Sequence, residues 1–106
     1  MDVANLFFTD AEATRGEIFE TLIETDRFRL ERIVSTGQAT PGGQWYDQEK
    51  NEWVALLSGS AGLLFEGESR VRVIRPGDCL LIPAHRRHRV EWTDPDQETI
   101  WLALHY

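Results

Sequence analysis

With 106 residues, the chain falls within the size of one folding unit. Hydrophobic residues make up 42% of it, four Trp and five Phe among them, which excludes a disordered chain. A formal net charge of −7 argues against a nucleic-acid partner, which would be met by a basic face.

Residues 1–16 read as an N-terminal arm lying on the domain. Asp10 to Arg15 predicts a short helical turn, capped by Asp10 and ended by Gly16. Met1 to Asn5 lacks the basic start of a signal peptide, and no stretch approaches the ~20 apolar residues of a membrane span. The expectation is a cytoplasmic protein with no membrane partner.

Residues 17–106 read as strands and turns. Glu17 to Glu24 is apolar-rich, and Thr25-Asp26 turns the chain. Arg27 to Ser35 places Phe28 and Leu30 on one face and Arg27, Arg29 and Glu31 on the other. An apparent phase shift at Ile33 predicts a bulge or bend. Thr40-Pro41-Gly42-Gly43 is a turn, and Gln44 to Gln48 a further strand.

Trp53 to Leu57 is continuously apolar, as in a strand buried on both faces. A small-residue turn, Ser58 to Gly62, follows it. Leu63-Leu64-Phe65 and Val71 to Ile74 flank Glu66-Gly67-Glu68, a hairpin signal. Arg75-Pro76-Gly77-Asp78 fits a type II turn.

Cys79 to Ile82 is again continuously apolar. Its cysteine, the single one of the chain, reads as a small buried hydrophobe, and no disulfide can form within the chain. Pro83 to Arg87 is a loop. In the next strand His88, Val90 and Trp92 share one face. Thr93 to Asp96 turns, and Thr99 to Leu104 is the last strand, with His105 behind it as a terminal, structural residue. Short strands between Gly and Pro turns predict an all-β sandwich or barrel in a single domain.

Two stretches carry a resemblance. The first runs from Trp45 to Glu52, with Gly59 seven residues further on. The second runs from Gly77 through Pro83 to His88. Together they resemble the two motifs of the cupin superfamily. Gly77, Pro83 and His88 match the second motif, with His85 replacing its second glycine. Glu52 and Gly59 match the first, whose two histidines fall on Tyr46 and Gln48.

The resemblance implies a cupin-type jelly-roll β-barrel over residues 17–106. It also implies a divalent metal (zinc, iron, manganese or nickel) inside that barrel, held here by His88, Glu52 and Gln48. That set is poorer in imidazole than the family's, and weaker metal binding is expected.

Glu52 and Tyr46 are the candidate catalytic residues, for moving a proton. Asp47, His85 and Trp92 are candidate pocket residues, although His85 reads more readily as an exposed loop histidine than as a rim residue. Arg70, Arg72, Arg75, Arg86, Arg87 and Arg89 read as a solvated face. If Arg86 or Arg87 lay at the barrel mouth, it would attract an anionic substrate. Three functions fit these residues. One is a metal-dependent enzyme acting on a small anionic or carbonyl-bearing metabolite. Another is a metal-free binder of a small molecule. The third is a structural homo-oligomer, with a dimer as the expected form.

Overall fold

The apolar runs condense into eight strands, and the computed structural model describes residues 2–9 and 16–106. In chain order they are β1 (Ile18–Glu24), β2 (Arg29–Ser35), β3 (Glu52–Ser58), β4 (Ala61–Phe65), β5 (Arg72–Ile74), β6 (Cys79–Ile82), β7 (His88–Thr93) and β8 (Thr99–His105). The described residues contain no helix, and hence none long and apolar enough to cross a membrane. The helical turn expected over Asp10 to Arg15 lies outside the described residues.

The strands form two antiparallel sheets, ordered β1-β2-β8-β3-β6 and β5-β4-β7. Between them lies a core of Val54, Leu56, Ala61, Leu63, Phe65, Ile74, Ile82, Trp101 and Ala103. This is the jelly-roll arrangement expected of the sequence. The turns follow their residues. Gly67 has φ 90°, and Glu68 N donates to Phe65 O at 3.0 Å, closing the β4–β5 hairpin. Gly77 has φ 91°, and Asp78 N donates to Arg75 O at 2.9 Å, as a type II turn requires. Between β3 and β4, Gly59 has φ 81°, and a Cβ there would stand 2.6 Å from Thr99 Cα, so glycine is demanded twice over.

Four expectations are corrected. Gln44 to Gln48 forms no strand; it makes only an isolated bridge, Tyr46 to His88. β2 has no bulge. Its pairing with β8 is continuous, and Arg29, Glu31 and Ile33 share the inward face at simple alternation. The irregularity sits in β1, between Thr21 and Ile23.

The runs in β3 and β6 are covered on one face only. Val54 and Leu56 are buried, whereas Trp53 and Leu81 stand outward and exposed. Cys79 is exposed as well, not buried.

Candidate functional site

Strand alternation decides which side chains meet inside. Arg29 pairs with His105, His105 with Glu52, and Glu52 with Ile82, so one inward row crosses β2, β8, β3 and β6. Glu31 projects inward beside that row, one step along β2. His88 opens β7 and faces the row from the opposite sheet. The bridge to Tyr46 places it, with Tyr46 N donating to His88 O at 2.7 Å and His88 N to Tyr46 O at 3.1 Å.

These residues line one cavity of about 430 Å³, within the usual range for a small-molecule pocket. Its wall is apolar, with Ile33, Val54, Leu63, Ile82, Val90 and Trp101. Its polar groups are Glu17, Thr21, Arg29, Glu31, Tyr46, Gln48, Glu52, His88 and His105. The Trp101 indole donates to Ser35 Oγ at 3.2 Å, which fixes that wall, and Ser35 Oγ in turn donates to Glu17 at 2.6 Å.

Four titratable side chains form a continuous chain at the centre. His105 Nε2 lies 2.8 Å from Glu31 Oε1 and 3.6 Å from Glu52 Oε2. His88 Nε2 lies 3.7 Å from Glu52 Oε1. All four are buried. His88 Nδ1 lies 2.8 Å from Arg86 O. A carbonyl can only accept, so Nδ1 carries the proton, and in the neutral ring Nε2 turns a lone pair toward Glu52.

Burial pushes the Glu52 carboxyl above its ordinary pKa; His105 and His88 oppose that shift, and Glu31 adds to it. Burial and the Glu17 charge likewise push Tyr46 up. The Tyr46 ring stacks on His88, centroids 5.7 Å apart, at the cavity mouth.

The sequence-derived candidates divide. Tyr46, Gln48, Glu52 and His88 all line the cavity. Asp47, His85 and Trp92 do not. His85 and Asp47 pair with each other at 2.8 Å in the open. His85 replaces the motif's second glycine and holds a glycine's conformation, φ 64°, which turns it out into the loop. Trp92 is displaced by a bulge, since Gly62 pairs with Trp92 but Leu63 with Val90, leaving Glu91 extra. The alternation from His88 breaks there, and Trp92 packs over Gly62, facing outward.

Glu31 and His105 were not expected in the site. Their signal was the plain alternation Arg29, Glu31, Ile33 and Trp101, Ala103, His105. The charged members masked it, because they looked like a solvent face and a chain end. Four of the six arginines of the arginine-rich segment are paired at the surface. Arg72 and Arg86 meet Glu68, Arg87 meets Glu66, and Arg89 meets Glu91.

A family model described as the cupin domain matches residues 33–105. The chain is a cupin. Among solved structures, this cupin resembles a protein of Ralstonia eutropha JMP134 described as a candidate mannose-6-phosphate isomerase. The two share 50% identity over 99% of this chain and 97% of the other, with a TM-score of 0.93. The polyketide cyclase RemF of Streptomyces resistomycificus matches at 24% identity over 99% and 78%, TM-score 0.75. An RmlC-like cupin protein of Desulfovibrio desulfuricans matches at 18% over 99% and 96%, TM-score 0.73. The latter two share the fold with this cupin. Among curated protein sequences, none matches it.

Proposed function

We propose that this cupin is a small cytoplasmic enzyme that binds a small metabolite in the barrel cavity and moves a proton on it beside a divalent cation. The observation that carries this reading is the buried chain Glu31–His105–Glu52–His88. Two candidate donor sets share Glu52. The motif positions offer His88, Glu52 and Gln48. The second set, Glu31, Glu52 and His105, has its ligand atoms all within 4.8 Å of one another. Two carboxylates and an imidazole suit zinc, iron, manganese or nickel better than an amide does, so the fit favours the second set.

A divalent cation there supplies polarisation of a substrate oxygen. The chain's own groups do the rest. His88 Nε2, with its lone pair held inward by the Arg86 carbonyl, accepts the proton. Tyr46 keeps its hydroxyl proton and donates a hydrogen bond at the mouth. Arg29 Nε is buried 3.9 Å from Glu31 Oε2, makes no hydrogen bond among the described residues, and would donate one to a substrate oxygen. The apolar wall excludes water and orients the substrate.

Three carboxylates, Glu17, Glu31 and Glu52, line the cavity against the single arginine Arg29. That balance supports a carbonyl-bearing, uncharged substrate and speaks against a sugar phosphate such as the one named for the Ralstonia protein. Arg86 and Arg87, engaged with Glu68 and Glu66, do not line the cavity and lend no support to an anionic substrate.

The metal-free reading also has an observation behind it. The 2.8 Å contact between His105 and Glu31 is a hydrogen-bond distance. In that reading the protonated Glu52 serves as the acid. Metal analysis of untagged protein decides between them. Stoichiometric metal that is lost in His105→Ala supports the cation. Protein that takes up none of zinc, iron, manganese and nickel overturns it.

A further inference from the structure

The cavity has a second polar end, away from the buried acids and histidines. Arg29, Glu31 and Ile33 line it from β2, and Ser35 ends the same inward series. The strand runs about 20 Å from Arg29 to Ser35. The two residues therefore mark opposite ends of one elongated space.

Ser35 is fully buried and holds Glu17. Its Oγ donates to Glu17 Oε2 at 2.6 Å and accepts from the Trp101 indole at 3.2 Å. The chain of two hydrogen bonds fixes the direction of the carboxylate. A carboxylate has room for about four hydrogen bonds. Ser35 supplies the only one that reaches the Glu17 side chain among the described residues. The remaining lone pairs are open to whatever fills the cavity.

Beside Glu17 the mouth is aromatic. Phe19 follows it on the inward face of β1, and Tyr46 comes from the segment bridged to β7 in the opposite sheet. Both rings line the cavity, yet Phe19 is 57% and Tyr46 41% exposed. Two rings left open to water on the two sides of one mouth form a slot that a flat apolar group would fill. After burial, the Glu17 charge is the main cause of the raised Tyr46 pKa, which sets the two groups across the same mouth.

We propose that Glu17 is a specificity-determining residue. It accepts a hydrogen bond from a hydroxyl at one end of an elongated substrate, whose ring lies between Phe19 and Tyr46 and whose carbonyl reaches toward Arg29. This rests on the uncharged, carbonyl-bearing substrate proposed above and adds what stands at its other end. A substrate that brings an acceptor to Glu17 leaves two lone pairs facing each other out of water, and is turned away. Between the two ends, Ile33, Leu63 and Val90 offer no polar group, and the single N–H of Trp101 is spent on Ser35. The middle of the substrate is therefore apolar.

Calorimetric titration tests the proposal with three matched probes. They are para-hydroxybenzylacetone, benzylacetone, which lacks the hydroxyl, and para-butylphenol, which lacks the carbonyl. The wild type should bind the first at least about tenfold more tightly than benzylacetone, the usual worth of a hydrogen bond to a charged group. In Glu17→Gln the ratio should fall to about threefold or less, because Ser35 keeps the amide oxygen and the NH2 then faces the cavity. Glu17→Asp, which draws the carboxylate back, should lower the ratio too and serves should Glu17→Gln melt early. Phe19→Ala should weaken all three probes by roughly a common factor and keep the ratio. Equal affinity for para-hydroxybenzylacetone and benzylacetone overturns the proposal, as does a gap that survives in Glu17→Gln. So does folded protein that binds none of the probes at millimolar concentration. Para-butylphenol bound as tightly as its ketone overturns the carbonyl reading alone, and a hydroxyl gap that depends on Glu17 still supports the proposal.

Discussion

His105 and Glu31, 74 positions apart in sequence, meet at 2.8 Å inside the barrel. The β2–β8 register brings them together diagonally, and the β3–β8 register sets Glu52 directly opposite the same imidazole. One histidine thus stands between two buried carboxylates. His105→Ala should cost about 3–5 kcal/mol, the usual penalty for leaving a buried charge without its partner. Chemical denaturation at neutral pH measures it, and His105→Gln should recover part of the loss through its amide. A change in His105→Ala below 1 kcal/mol, by the same measure, means that the cluster is solvated (about the effect of a surface change).

Glu52 makes stability depend on pH. Its folded carboxyl sits above the ordinary 4.5, with burial the main cause. The native state therefore binds more protons than the unfolded chain between 4.5 and the raised folded value. Stability falls as pH rises through that window. His88, His105, Glu31 and Arg29 face the group and modulate the slope. In metal-free protein, Glu52→Gln should flatten this decline and raise the melting temperature at neutral pH. Parallel melting curves for the variant and the wild type across that window count against the assignment.

His85 tests the boundary of the site. It is exposed, paired only with Asp47, and in a left-handed conformation that glycine adopts freely. His85→Gly should leave stability within about 1 kcal/mol, as for a surface change relieved of backbone strain. Metal uptake should equal that of the wild type. Loss of uptake would bring His85 into the cluster.

Gly59 tests the turn that aligns Glu52 with its neighbours. Gly59→Ala places a methyl against the Thr99 backbone at φ 81°. The expected cost is on the order of 2–3 kcal/mol, combining strain with overpacking. Thermal melting reads it directly, and an unchanged melting temperature contradicts the fold at that turn.

Much of the fold was legible. Gly59, Gly67 and Gly77 fall where the chain has to turn through positive φ, and the strands between them alternate or run apolar as their burial requires. Two motifs carried Glu52 and His88 toward a common cavity. Trp92 was misplaced because a bulge leaves no mark on the alternation until its partner strand is known. Glu31 and His105 were overlooked because a charged residue in an alternating strand looks the same whether its face meets water or a polar cavity.

By itself, the sequence determined eight strands, with a ninth at Gln44 to Gln48 that does not form, their main turns, the family, and two cavity-lining positions, Glu52 and His88. These depend on neighbours a few residues apart, on turn geometry and on side-chain period. Only the tertiary structure decided which face of β2 and β8 turns inward. That choice depends on register with strands far away in sequence. It places Arg29, Glu31 and His105 beside Glu52, and by the same alternation turns Leu30, Leu104, Trp53 and Leu81 outward.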